Sequence, residues 1–112
     1  MSKLADKTRD FLKEIFPHNS IYEERYIKYK GTRLFFDFYI KEINVLIEVQ
    51  GRQHEEFVKH FHTDRDGFID SKKRDNLKKE YCQETDIVLI EIRDEKELNK
   101  EKFIKRIWNE MT

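Results

Sequence analysis

Cysteine, proline and glycine are scarce in this chain of 112 residues, at one, one and three copies. The single cysteine, Cys82, can form no internal disulfide and fits a reducing compartment. So few glycines and prolines leave no flexible linker. One domain, residues 1–112, with one modest core is therefore expected. No apolar run approaches the ~18 residues of a membrane span, and the start has no signal-peptide core. No membrane partner is expected, and the setting is expected to be cytoplasmic. Net charge is lacking too, because 23 Lys and Arg balance 23 Asp and Glu. A protein that holds nucleic acid unaided is usually basic. The balance argues against a stand-alone DNA binder but leaves an enzyme acting on DNA open. No repeat or low-complexity segment is visible.

What the chain does have is charge, at 41%, and aromatic residues, at 13%. Its organising stretch is Phe35 to His54, FFDFYIKEINVLIEVQGRQH. It reads as two strands rich in β-branched and aromatic residues, joined near Lys41-Glu42-Ile43-Asn44. Alternation puts Phe36, Phe38 and Ile40 on one face, with Phe35, Asp37 and Tyr39 on the other. In the second strand Val45, Ile47 and Val49 share a face opposite Leu46, Glu48 and Gln50. A hairpin centred between Glu42 and Ile43 sets Asp37 across from Glu48. Opposed side chains have Cβ atoms roughly 4.5–5.5 Å apart, and like charges there repel. Either a raised carboxyl pKa or a bound cation offsets this. Hard oxygen ligands suit magnesium or a similar ion. The plainer reading is a solvated acidic face paired with lysines, and a one-residue slip of register would remove the pairing altogether.

The rest of the chain falls around this hairpin. Leu4, Thr8, Phe11, Leu12 and Ile15 recur at helical spacing over 3–16, and Pro17 closes the helix. A strand from Ser20 to Tyr29 turns through Lys30-Gly31-Thr32 into Arg33–Ile40. Gly51 breaks the second strand of the hairpin and redirects the chain toward His54. Glu55 to Gly67 reads as a polar loop ending in an Asp66-Gly67 turn. Its His60, His62, Asp64 and Asp66 form a weak metal signal. A helix from Asp70 or Ser71 to Glu84 pairs Leu77 with Tyr81 beside Cys82, a small buried hydrophobe. Lys72, Lys73, Arg74, Lys78 and Lys79 give it a basic face around Asp75. Ile87–Ile92 reads as a strand buried on both faces, joined to the hairpin by a parallel crossover. Asp94 and Glu97 supply a capping box for the last helix. The apolar face of that helix is Leu98, Phe103, Ile104, Ile107, Trp108 and Met111. The expected architecture is α/β, in the order α-β-β-β-α-β-α, with a mixed central sheet flanked by helices.

FFDFYI, LIEVQGRQH and KKRDNLKKEYCQETDIVLIEI, in that order, resemble the PD-(D/E)xK nucleases with their restriction-endonuclease-like fold. The similarity covers roughly residues 4 to 92. It is nearest to the branch of very-short-patch-repair endonucleases and of phage homing endonuclease catalytic domains with an EDxHD pattern. The resemblance implies a Mg²⁺- or Mn²⁺-dependent DNA endonuclease acting on double-stranded DNA in a bacterial or phage-infected cell. It implies that Asp37 and Glu48 hold the metal, that Gln50 orients water, and that His54 carries the proton. Asp75 is the trailing acid, and Glu14, or else Asp6 or Glu24, the leading one. Lys28, Lys30, Arg33, Lys72, Lys73 and Lys78 would track the DNA backbone. Gln50 stands where the wider superfamily has lysine, and the zinc-binding cysteines of some repair enzymes are absent, so no zinc is carried over.

Two readings from other classes stand beside the enzyme. One is a catalytically inactive nucleic-acid-binding module of the same fold. The other is a protein-interaction domain whose acidic face pairs with a partner. The neutral charge leaves targeting unexplained, so a separate DNA-targeting domain in a longer parent chain is expected.

Overall fold

Ser2 starts the first helix, where its hydroxyl accepts a hydrogen bond from the Ala5 amide at 3.1 Å. A computed structural model describes residues 2–50 and 65–111, with the backbone alone for 65–71. Helix α1, Lys3–Ile15, buries Ala5, Thr8 and Leu12. It ends at Phe16, ahead of Pro17. Strands β1, Ile21–Tyr29, and β2, Thr32–Ile40, meet at Lys30-Gly31. Both turn residues take positive φ, 48° and 77°, which matches the right-handed twist of a tight hairpin. One 3₁₀ turn, Lys41–Ile43, and the left-handed Asn44 then lead into β3, Val45–Val49. Helix α2, Arg65–Glu84, crosses to β4, Val88–Ile92. The capping box of Asp94 and Glu97 forms as expected, though it closes a 3₁₀ turn, Glu95–Glu97, ahead of the last helix α3, Lys100–Met111.

The sheet order is β1-β2-β3-β4, antiparallel except for the parallel pair β3·β4. The chain is thus an α/β domain with a four-stranded mixed sheet. Two cores lie on its two sides. Leu12 of α1 and Phe103 and Ile107 of α3 pack with Phe38, Ile40, Val45, Ile47, Val88, Ile90 and Ile92. The rings of Phe11 and Phe16 meet Phe103 edge-on, at 5.4 and 6.3 Å between centroids. On the other side Cys82 of α2 packs with Leu34, Phe36 and Leu46.

Four expectations need correction. Phe36 does not share a core with Phe38 and Ile40 but packs under α2. The β1·β2 register runs from Ile21↔Ile40 to Tyr29↔Thr32, yet Glu24 and Asp37, which it would set opposite each other, are not paired. Glu24 takes φ 53° there. This break in the ladder separates the two faces. Second, α2 begins at Arg65, so Asp66-Gly67 is helical and not a turn. A glycine costs a helix only about 1 kcal/mol against alanine, which a 20-residue helix absorbs. Third, β4 is an edge strand, and Ile87, Leu89 and Glu91 are only half-buried. Fourth, Ile104, Trp108 and Met111 stay exposed, because the four-residue step Phe103–Ile107 already fills the α3 contact. Among the described residues no helix is long and apolar enough to cross a membrane.

Phe103→Ala should therefore lower unfolding free energy by about 3–5 kcal/mol in denaturant titrations. Met111→Ala, on the exposed stripe, should stay within about 1 kcal/mol of wild type.

Candidate acid–lysine site between the central strands

β2 and β3 pair at Phe38↔Ile47, Tyr39↔Leu46 and Ile40↔Val45. One further step of the same register sets Asp37 beside Glu48, as the hairpin spacing predicts. Here side chains replace the backbone ladder. The Asp37 carboxylate accepts from the Val49 amide at 2.7 Å, and the Glu48 carboxylate accepts from the Asp37 amide at 3.3 Å. The two acids are stitched together across the strands.

Helix α2 supplies the compensating cation. Lys78 Nζ lies 2.9 Å from Glu48 Oε2, and the two side chains are only 16% and 12% exposed. The same ammonium stands 5.4 Å from the centroid of the Phe36 ring. Burial pushes the Glu48 carboxyl up to about 7. Lys78 pulls it down, while the Asp37 charge pushes it up. Cys82, nearby on α2, has its thiol raised to about 11, chiefly by burial and then by the Glu48 charge. It is no nucleophile at neutral pH, in keeping with its role as a small hydrophobe.

The other expected site residues are placed less closely. Gln50 is half-buried just past β3, its backbone N–H donating to the Ile92 carbonyl at 2.7 Å. Asp75 is half-buried on α2, one turn before Lys78. Glu14 is exposed on α1, the helix that packs on the opposite core. Asp6 pairs with Arg9, and Glu24 sits at the ladder break beside Asp37. His54 and the His60, His62, Asp64 and Asp66 side chains lie outside the described residues.

Among the expected backbone-tracking cations, Lys28, Arg33, Lys72 and Lys73 are exposed. Lys30 pairs with Glu80, which ties the hairpin tip to α2. Lys78 faces Glu48 and does not belong to the solvated basic face. Sequence reading missed this pairing, and it also missed Glu91, which β4 sets in register with Glu48. The alternation of acid and apolar residues in VLIEV and VLIEI, read as a parallel pair, is the signal that carries Glu91. Arg93 binds its carboxylate at 2.7 Å.

Asp37 and Glu48 form a hard, anionic oxygen pair. Each carboxylate retains lone pairs beyond the hydrogen bonds it accepts. Magnesium commonly takes one or two carboxylates together with waters and substrate oxygens, so the donor set fits. No cluster of three or more His, Cys, Asp or Glu suited to a metal occurs among the described residues.

Comparison with known proteins yields viral relatives. The chain is 34% identical to uncharacterized protein 307L of Invertebrate iridescent virus 6, over 53% of this chain and 30% of that one. It is 43% identical to uncharacterized protein 094L of Frog virus 3, over 55% and 41%. The chain thus spans about a third of the length of the curated relatives it matches. No family model and no solved structure matches.

The Glu48 geometry has a pH signature. A carboxyl raised from 4.5 to about 7 in the folded state contributes stability that is full below about pH 4.5. That contribution is lost as pH rises through about 7. Thermal melts should show this slope in wild type and not in Glu48→Gln. Lys78→Met should move the Glu48 titration, followed by carboxyl NMR, further above 7. An unmoved titration would mean that the ammonium is not felt by the carboxylate.

Proposed function

We propose that this chain is a metal-dependent DNA endonuclease domain of the restriction-endonuclease-like fold. The observation that carries the reading is the Asp37–Glu48 pair on adjacent central strands, with Lys78 delivered to it by α2. The order of elements, α-β-β-β-α-β-α, supports it, as does the mixed sheet. So does the sequence resemblance of the hairpin to PD-(D/E)xK nucleases.

Asp37 and Glu48 would hold Mg²⁺ or Mn²⁺. The bound ion would polarise a phosphoryl oxygen and lower the pKa of a water. The protein's own groups do the rest. The Asp37 carboxylate is aimed by the Val49 amide and the Glu48 carboxylate by the Asp37 amide, so neither needs to reorganise. Lys78 supplies the positive charge that Gln50 cannot. It favours the ionised form of Glu48 against burial and would stand ready to bind a phosphate oxygen when a cation takes its share of Glu48. His54 is the proton carrier that the resemblance supplies, with Asp75 as its companion acid. Lys28, Arg33, Lys72 and Lys73 would contact phosphates without reading sequence. Neutral net charge calls for a separate targeting domain, and the viral relatives are long enough to contain one.

The second reading is a non-catalytic binding module, favoured by the occupation of a Glu48 oxygen by Lys78. Nicking of supercoiled plasmid separates the two. Wild type should nick with Mg²⁺ or Mn²⁺ and not with EDTA. Asp37→Asn, which keeps an acceptor for the Val49 amide, should lose nicking while melting normally. His54→Ala should slow it about 10²–10⁴-fold. DNA binding without any metal-dependent nicking would favour the inactive module.

A further inference from the structure

The β1–β2 ribbon carries an aromatic and cationic surface that the acid site does not use. Tyr26 and Phe35 are cross-strand partners, with ring centroids 5.3 Å apart. Both are exposed, Phe35 at 56%. Arg33 lies over the Tyr26 ring at 5.6 Å, so one face of Tyr26 is covered and its guanidinium is held in place. Lys28 pairs with Arg33 in the ladder. Beside them Gly31, Thr32, Arg33, Phe35 and Arg74 line a hollow of about 430 Å³. Among the described residues no acidic side chain lines it. Gly31 at φ 77° has nothing within 4 Å of the Cβ position it lacks, so the turn leaves this end open.

The hollow draws on the same two elements as the acid pair. Phe35 precedes Asp37 by two residues on β2, a step of about 7 Å. Arg74 precedes Lys78 by four residues on α2, about 6 Å along the same side of the helix. Phe35 and Arg74 thus belong to the same strand and helix that carry Asp37 and Lys78. Two guanidiniums beside an exposed ring suit an anionic chain that bears flat, unpaired bases. Stacking on an aromatic needs a free base face, which a duplex does not offer, and arginine adds charge and planar stacking.

We propose that Phe35, Arg33 and Arg74 form a subsite for an unpaired nucleotide of the DNA strand that passes the acid pair, with Tyr26 as the positioning residue for Arg33. The substrates are then DNAs with single-stranded stretches, such as flaps, overhangs or junctions. This inference rests on the nucleic-acid reading above and deepens it.

The test is fluorescence anisotropy with a labelled single-stranded oligothymidylate, with EDTA present and the full chain. Because no divalent cation is present, the result is independent of whether the protein cleaves. A failure of plasmid nicking would bear on the nuclease reading and not on this one. Wild type should bind the single strand more tightly than a duplex of equal length. Phe35→Ala should weaken it about 5- to 150-fold, the range for one base–aromatic stack. Phe35→Trp should retain it, and Arg74→Ala should weaken it and flatten its salt dependence. Melting curves should stay unchanged in all three, since both positions are exposed. Wild-type affinity in Phe35→Ala, or no single-strand preference in wild type, would overturn the proposal. So would a wild-type dimer in sedimentation that Phe35→Ala dissolves with DNA binding intact, which would assign the patch to protein contact.

Discussion

The structure turns on one buried charge, the Glu48 carboxylate. It sits in β3, between apolar neighbours, under α2 and beside a second carboxylate. Ionised and alone it would be costly, since burial disfavours the charged form. Lys78 and the Asp37 amide make it tolerable. Yet a buried ion pair rarely stabilises a fold more than apolar residues of the same volume would. Stability alone therefore does not account for Glu48, and the proposed cation site, which needs two carboxylates and a lysine together, would. The local geometry points the same way. The backbone ladder is broken on both sides of Asp37, and Glu24 takes a left-handed conformation at the break. Such backbone outliers cluster at functional sites.

The layers make this arrangement possible. α1 and α3 fill one side of the sheet with leucine, isoleucine and phenylalanine and hold the central strands rigid. That leaves α2 free to present polar side chains to the other side at its middle, while Leu77, Tyr81 and Cys82 anchor it. Tyr29 adds a tie from the ribbon, its hydroxyl bonded to both Glu80 and Glu84 of α2. These two carboxylates push its ionisation well above the ordinary tyrosine range.

Much of this was legible in the residues. Alternation and the position of the turn decide a hairpin register, and Asp37 and Glu48 meet as that register requires. The caps, the tight turn at Gly31 and the crossover through α2 follow from local chemistry in the same way. What was not legible depends on distant contacts. The turn of α2 that faces β3 depends on how the helix packs, so Lys78 could be seen only as one cation among five. Phe36 changes core because of a break at Glu24, whose left-handed backbone nothing in IYEERYIKY announces. Ile104, Trp108 and Met111 are apolar at helical spacing, but α3 has only one contact stripe to fill. Gln50, where the resemblance expects lysine, looks like a defect in sequence, but under the proposed reading Lys78 of α2 would supply that charge from another element.

If the pair is a cation site, a divalent ion must draw Glu48 into its ionised form, and binding must release the proton it holds near neutrality. Calorimetric titration of Mn²⁺ at pH 6.5, in two buffers of different ionisation enthalpy, reads that proton directly. One site should release roughly half a proton or more per ion, from a carboxyl near 7, and should disappear in Asp37→Asn. Absence of binding, or binding in Asp37→Asn equal to wild type with no proton released, would contradict it.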